Sequence, residues 1–281
     1  MYRLLNLVLL ALFVSITAGC AQLRAIEREA TFLTVNSASE TQMGAQYAAE
    51  LEKSMDLIED PEAQAWLDRV GAALVAESPK SDQTFKFYFV NDMNVNAFAI
   101  PGGGCYVNRG MMEFADNEAQ VVAVIGHEIN HVTRRHGISR MQREMAAQLA
   151  AKAAVLAAGN ETKAIAAQAA ISGTGFLAQR QFSQADESEA DALGVEAMYR
   201  AGWDPREAAA LWAKMSGDGP PPFWLEAITS THPTSPKRRQ DILDQCAKLD
   251  LTVPLKKDSP EFQAIKARFA KLPKPAAAQQ K

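Results

Sequence analysis

His127-Glu128-Ile129-Asn130-His131 is the stretch that decides how the rest of the chain is read. On a helix, residues four apart stand on one face with Cβ atoms about 5–6 Å apart. Two imidazoles held in this way can close on a single zinc ion, at Zn–N distances of about 2.0–2.1 Å. Glu128 follows the first histidine and is turned partly away from the second, so its carboxylate can reach a metal-bound water rather than the metal. Val121, Val122, Val124, Ile125, Ile129 and Val132 give the same segment an apolar side to bury, which would hold both histidines rigidly. The chain has only 4 histidines, so a chance pair at this spacing on a surface helix is the weaker alternative.

Working outward, Asn117 with Gln120 three places on has the form of a helix start, and Gly137 that of a helix stop. Upstream, residues 85–90 (Phe-Lys-Phe-Tyr-Phe-Val) alternate and are aromatic, which predicts a strand. Residues 96–100 and 105–108 predict two more, joined by Pro101, Gly102, Gly103 and Gly104, and a small antiparallel sheet is the economical arrangement. Before it, residues 25–77 read as helix. Met43, Tyr47, Leu51, Met55 and Ile58 recur at helical spacing, and Pro61 opens a second helix with Trp66, Leu67, Val70 and Leu74 on one side. Residues 78–81 (Ser-Pro-Lys-Ser) break it.

Downstream, residues 139–178 are alanine-rich and helical by propensity. Lys, Gln and Arg interrupt them too often for the roughly 18 apolar residues of a spanning segment. A lid over a cleft and a membrane-facing helix pair both remain open for this segment. A helix over 187–201 is ended by Gly202, another starts at Asp204-Pro205, and a last one carries Ile242 and Leu243. The tail from Lys271, with its Pro-Lys-Pro and Ala-Ala-Ala-Gln-Gln, is expected to be disordered. The fold class this predicts is α+β, mainly α.

The chain has 281 residues, 48% of them hydrophobic, enough for a sizeable core. A net charge of −4 gives no ground for nucleic acid as a partner. The N-terminus begins Met1-Tyr2-Arg3, continues with an apolar run over 4–16, and ends in Thr17-Ala18-Gly19-Cys20, the layout of an export signal. The run is shorter than the roughly 20 residues of a spanning helix. It resembles the bacterial lipoprotein signal, although Thr17 stands where leucine is usual. That resemblance implies removal of 1–19, a lipid on Cys20, and an anchor gaining about 0.8 kcal/mol per buried methylene. Ala21 and Gln22 after the cysteine imply the periplasmic face of the outer membrane. Cys105 and Cys246 then remain in an oxidising compartment, where they could pair if their Cα atoms come within disulfide reach.

A hydrolytic zinc site needs a third protein ligand and an open position. The acidic segment 187–194 (Glu-Ser-Glu-Ala-Asp-Ala-Leu-Gly) can supply the ligand from a helix. His-Glu-Ile-x-His-Val followed by Glu-x-Glu-Ala-Asp-x-x-Gly resembles the gluzincin metallopeptidases related to CaaX prenyl proteases, of the HtpX, BepA and LoiP type. The resemblance spans about residues 40–245 and includes Asn96-Ala97-Phe98-Ala99-Ile100-Pro101-Gly102-Gly103.

It implies a zincin-like metallopeptidase domain over 40–250, preceded by a tether over 20–39 and followed by an extension over 251–281. It further implies one Zn2+ per chain on His127, His131 and Glu187, with Glu189 as the rival third ligand and Asp191 orienting a ligand histidine. Glu128 would be the general base. His232-Pro233 and Arg238 match a family feature near the metal, where His232 either supports the oxyanion or plugs the open position. Arg238 is the other oxyanion candidate. His136 has no matching role and is expected at the surface.

Substrate would add as a strand beside Asn96, Ala97, Phe98 and Ala99, which suits unfolded or misfolded polypeptides. The expected activity is zinc-dependent endopeptidase cleavage of misfolded or stalled outer-membrane proteins in the periplasm. The competing function is that of a chaperone or assembly lipoprotein with a plugged or structural zinc site. Asn130 and Gln184 depart from the family's usual residues, which bears on substrate preference. The chain resembles the short form that lacks repeat helices after the peptidase domain.

Overall fold

In the computed structural model, which describes residues 35–79, 84–158, 181–216, 221–233 and 235–275, the chain opens with helices α1 (Ser37–Glu52) and α2 (Pro61–Ala76). Asp60 starts α2 by accepting from the Glu62 and Ala63 N–H groups at 3.1 and 3.0 Å. Pro61 takes the first helical position, where its missing N–H costs nothing. Trp66, Leu67, Val70 and Leu74 are all buried, as their spacing predicts.

Three strands follow: β1 (Lys86–Val90), β2 (Ala97–Ala99) and β3 (Gly104–Asn108). Their order in the sheet is β1-β3-β2. β2 pairs antiparallel with β3, placing Phe98 opposite Tyr106, as a tight connection through Gly102 and Gly103 at φ 88° and 101° requires. β1, however, pairs parallel with β3, Tyr88 opposite Tyr106, so the sheet is mixed and the antiparallel expectation holds for β2–β3 alone. Alternation in a sequence fixes which face a side chain takes, and leaves strand direction and neighbour open.

The remaining elements are helices: α3 (Arg109–Phe114), α4 (Glu118–Thr133), α5 (His136–Ala158), α6 (Gln184–Arg200), α7 (Arg206–Met215), α8 (Phe223–Thr231), α9 (Pro236–Cys246) and α10 (Pro260–Phe269). Asn117 caps α4, its side chain accepting from the Gln120 N–H at 3.1 Å. All 16 residues of α4 are buried, which makes it the central rod of the core. The helix does not run on to Gly137. It stops at Thr133, and Arg135 takes the left-handed conformation, φ 57°, that a glycine would normally supply. That backbone costs an L-residue roughly 1–2 kcal/mol, and the Arg135 Nε contact with the buried Glu40 Oε2 at 2.7 Å helps to hold it.

Segment 260–269 brings Phe262 against Trp66 (centroids 5.5 Å apart) and Phe269 against Phe89 (4.9 Å). Cys105 and Cys246 are both buried and both free, so they form no disulfide. Burial pushes the Cys105 thiol well up and that of Cys246 up to about 11, which makes both inert.

Among the described residues, those from 37 to 137 and from 181 to 275 form one compact unit, and those from 138 to 158 fall in a second. Within that second unit the alanine-rich helix is described as far as Ala158. Its expected continuation to 178, the lipid site at Cys20 and the end of the tail lie outside the described residues. No helix among the described residues is long and apolar enough to cross a membrane.

Candidate metal centre

α4 and α6 build the centre together. Gly194 of α6 lies so close to α4 that a Cβ on it would stand 3.1 Å from the His127 N and 3.3 Å from the Gly126 carbonyl carbon. This close approach lets short carboxylate side chains from α6 reach the histidines of α4. α6 itself starts at a capping box, in which Ser183 Oγ accepts from the Asp186 N–H and Asp186 accepts from the Ser183 N–H.

Four buried side chains converge: His127, His131, Glu187 and His232, each offering one donor atom, all within 4.8 Å of one another. The Nε2 atoms of His127 and His131 stand 2.9 Å apart. Glu187 Oε1 is 3.2 Å from His131 Nε2, and its Oε2 is 3.6 Å from His127 Nε2. His232, which follows the last turn of α8, presents Nδ1 at 3.2 Å from His127 Nε2 and 3.0 Å from Glu187 Oε1. Three imidazoles and one carboxylate make a nitrogen-and-oxygen donor set that suits zinc.

Glu189, the alternative ligand, is absent from this cluster. It lies on the far side of His131, 3.1 Å from His136 Nε2 and 2.6 Å from Arg134 Nε.

Glu128 sits beside the four donors without joining them. Its Oε2 accepts from the Ala99 N–H at 3.1 Å, while its buried Oε1 has no hydrogen-bond donor and lies 3.4 Å from His232 Nε2. Burial pushes the Glu128 carboxyl above the ordinary value, against the pull of His232 and His127. Burial, with His127 beside it, holds His131 well below the usual imidazole range, and so keeps it in the neutral form that binds metals. At Glu187, burial alone would raise the pKa, but the surrounding histidines hold it well below the carboxylate range. Burial likewise opposes ionisation of His232, and Glu128 and Glu187 more than offset it, so its pKa rises.

Asp191, one turn beyond Glu187, stands 2.9 Å from His127 Nδ1. Its two oxygens also take a bidentate pair of bonds from Arg238, both at 2.8 Å. Arg238 reaches Glu187 Oε2 as well, at 2.6 Å, donates to the Pro233 carbonyl at 3.0 Å, and lies 4.0 Å over the Trp212 ring. Burial raises the Asp191 pKa, but the bonds from His127 and Arg238 outweigh it and hold the group ionised.

The edge of β2 borders the same space. The Asn96 carbonyl accepts from the Asn108 N–H, and the Ile100 N–H donates to the Gly104 carbonyl on the β3 side. By the alternation of an antiparallel pair, the backbone groups of Ala97 and Ala99 therefore face away from β3, and the Ala99 N–H does so onto Glu128. Asn96 and Phe98 face the other way, Phe98 stacking on Tyr106 at 5.1 Å.

Two contacts escaped the sequence reading. Phe182 covers His131 at 4.0 Å between ring centroids, and His136, expected at the surface, is buried beside His131. No motif flags Phe182. His136 was placed at the surface because it has no matching role in the resemblance; on a continuing helix it would point about 140° away from His131, and the left-handed Arg135 removes that separation.

Comparison with known proteins agrees with this geometry. The model of peptidase family M48 matches residues 61–245. The chain is 30% identical over 243 residues to the beta-barrel assembly-enhancing protease of Escherichia coli (strain K12), covering 84% of this chain and 49% of that protein. It is 29% identical over 177 residues to the mitochondrial metalloendopeptidase OMA1 of Schizosaccharomyces pombe, covering 63% of this chain and 51% of that one. With the metalloprotease LoiP of Escherichia coli (strain K12) it shares 32% identity over 168 residues, 57% of this chain and 62% of the relative. The chain thus spans about half the length of the first two of these relatives.

Proposed function

The chain belongs to peptidase family M48, and from that premise we propose that it is a zinc-dependent endopeptidase acting on unfolded polypeptides. The observation that carries the reading is the pairing of a four-donor cluster with Glu128, a buried carboxylate beside the donors whose Oε1 has no donor of its own. A purely structural site has no use for such a group.

His127, His131 and Glu187 would hold the ion. Bound there, zinc supplies Lewis acidity, which in hydrolytic sites polarises the scissile carbonyl and eases deprotonation of the attacking water. Glu128 accepts that proton. Its raised pKa suits it to pass the proton on to the leaving amine, since a base tuned towards neutrality works in both directions. Asp191 holds His127 in one tautomer and orientation, the usual service of a carboxylate to a metal-binding imidazole.

Arg238 was the alternative to His232 for support of the oxyanion. Its Nε, Nη1 and Nη2 already engage Asp191, Pro233 and Glu187, which favours a positioning role over contact with substrate. His232, whose Nδ1 lies within 4.8 Å of the other three donors, is placed to occupy the position that water and substrate need, which supports the reading of this residue as a plug. Displacement of His232 would open the site and leave its imidazole near the developing negative oxygen.

Substrate would add as a strand beside β2, where the Ala99 N–H, which donates to Glu128 in this structure, faces away from β3, and such main-chain pairing gives affinity with little side-chain selectivity. The name of the Escherichia coli relative, a beta-barrel assembly-enhancing protease, supports clients among β-barrel proteins, while a place in the periplasm and a lipid on Cys20 rest on the resemblance of residues 1–20 to a lipoprotein signal.

The test is degradation of a reduced, unfolded model protein by the full chain, beside Glu128→Gln at matched zinc content. The expected result is cleavage by the unaltered chain alone. His232→Ala is expected to cleave faster than the unaltered chain. Equal cleavage with and without Glu128 would defeat the mechanism. Absence of cleavage in all three zinc-loaded proteins would favour the chaperone reading.

A further inference from the structure

His136 and Glu189 are the buried or half-buried titratable groups next to the centre that the mechanism above leaves without a task. His136 Nδ1 lies 3.0 Å from His131 Nδ1, and His136 Nε2 lies 3.1 Å from Glu189 Oε2. Asp186 Oδ1 is farther from the same nitrogen, at 3.9 Å. Glu189 is fixed in turn by Arg134, whose Nε is 2.6 Å from its Oε1.

Resting on the reading of His131 as a metal ligand, we infer that His136 is a positioning residue that locks His131 into its metal-binding tautomer through a relay ending at Glu189. The proton count leaves one arrangement. His131 Nε2 points into the donor cluster and must be free of a proton to bind a cation, so the proton sits on Nδ1. The atom facing that N–H is His136 Nδ1, which therefore accepts. His136 then carries its own proton on Nε2, and the group placed to receive it is the Glu189 carboxylate. Each link dictates the next, from an anion at the rim to the ligand nitrogen.

The backbone explains how His136 comes to be there. Had α4 continued, His136 would point well away from His131. The left-handed Arg135 turns the chain back at this point, and Glu40 clamps that residue from α1. His136 is only 4% exposed, and the Phe182 ring lies against His131 at 4.0 Å between centroids, with His136 farther off at 6.5 Å. The two ligand histidines of α4 are thus supported differently: His127 by the Asp191 carboxylate directly, His131 by a carboxylate acting through a second imidazole.

The test measures zinc affinity of the full chain by competition with a chromophoric chelator, together with thermal unfolding of the metal-free protein. His136→Leu removes the acceptor, whereas His136→Asn places an amide oxygen close to where Nδ1 stands. His136→Leu is expected to weaken zinc binding roughly 10–100-fold, and His136→Asn to recover most of that loss, while both metal-free variants melt together. Unchanged affinity in His136→Leu overturns the inference, as does an equal loss in the two variants. An unaltered chain that binds no zinc overturns the metal reading itself, an outcome distinct from either.

Discussion

α4 and α6 meet at the centre, yet they are held there by opposite means. α4 is buried along all 16 residues, and its histidines are set by apolar packing around Val121, Val122, Ile125 and Ile129. α6 buries one face only, and that face includes two ionised carboxylates, Glu187 and Asp191. A buried charge persists only when it is paired, because the cost of leaving water otherwise exceeds what packing returns. The pairing cation is Arg238, a residue of α9 that lies 47 positions beyond Asp191. Packing therefore fixes the helix that carries the histidines, and electrostatics the carboxylate half of the site.

This contrast can be broken most severely at Arg238. Arg238→Met keeps much of the side-chain bulk over Trp212 but strands both carboxylates. The metal-free protein is expected to lose about 3–5 kcal/mol of stability in urea unfolding. Added zinc should restore part of the loss, since a cation on Glu187 replaces half of what Arg238 neutralised. A variant as stable as the unaltered chain would mean that α6 is held by packing after all.

Gly194→Ala probes the seam between the helices. Its new Cβ would press on the His127 backbone at 3.1 Å, so about 1–3 kcal/mol of overpacking is expected. Because the displaced group carries His127, zinc affinity should fall with stability. A loss of stability without any change in affinity would show that the histidine half tolerates movement of its neighbour.

The smallest effect is expected at the start of α6. Ser183→Ala removes one half of the capping box and should cost about 1 kcal/mol. Zinc affinity should hardly change, since Glu187 and Asp191 are set by Arg238 rather than by the helix end. Chelator competition on this variant would detect any dependence on the cap.

The histidine half was legible in the sequence for a local reason: a spacing of four residues on one helix fixes which side chains meet. The Asn117 cap, the Pro61 start, the buried Trp66-Leu67-Val70-Leu74 stripe and the Gly202 stop were legible on the same ground, since each depends on residues a few positions apart. The carboxylate half needed more. The sequence offered Glu187 as the third ligand with Glu189, two residues on, as its rival, and the structure places Glu187 at the donors and Glu189 behind His131.

By itself, then, the sequence determined the helical class and the paired histidines with Glu128 beside them. These follow from periodicity and short-range geometry, which a linear chain records directly. Tertiary structure decided that β1 runs parallel to β3, that Arg135 rather than Gly137 ends α4, and that His136 is buried against His131. It also decided that Arg238 pairs with Asp191 and Glu187 and that His232 lies in one cluster with His127, His131 and Glu187. All of these depend on which distant surfaces come together, and burial then sets which charges must be paired and which nitrogens carry protons.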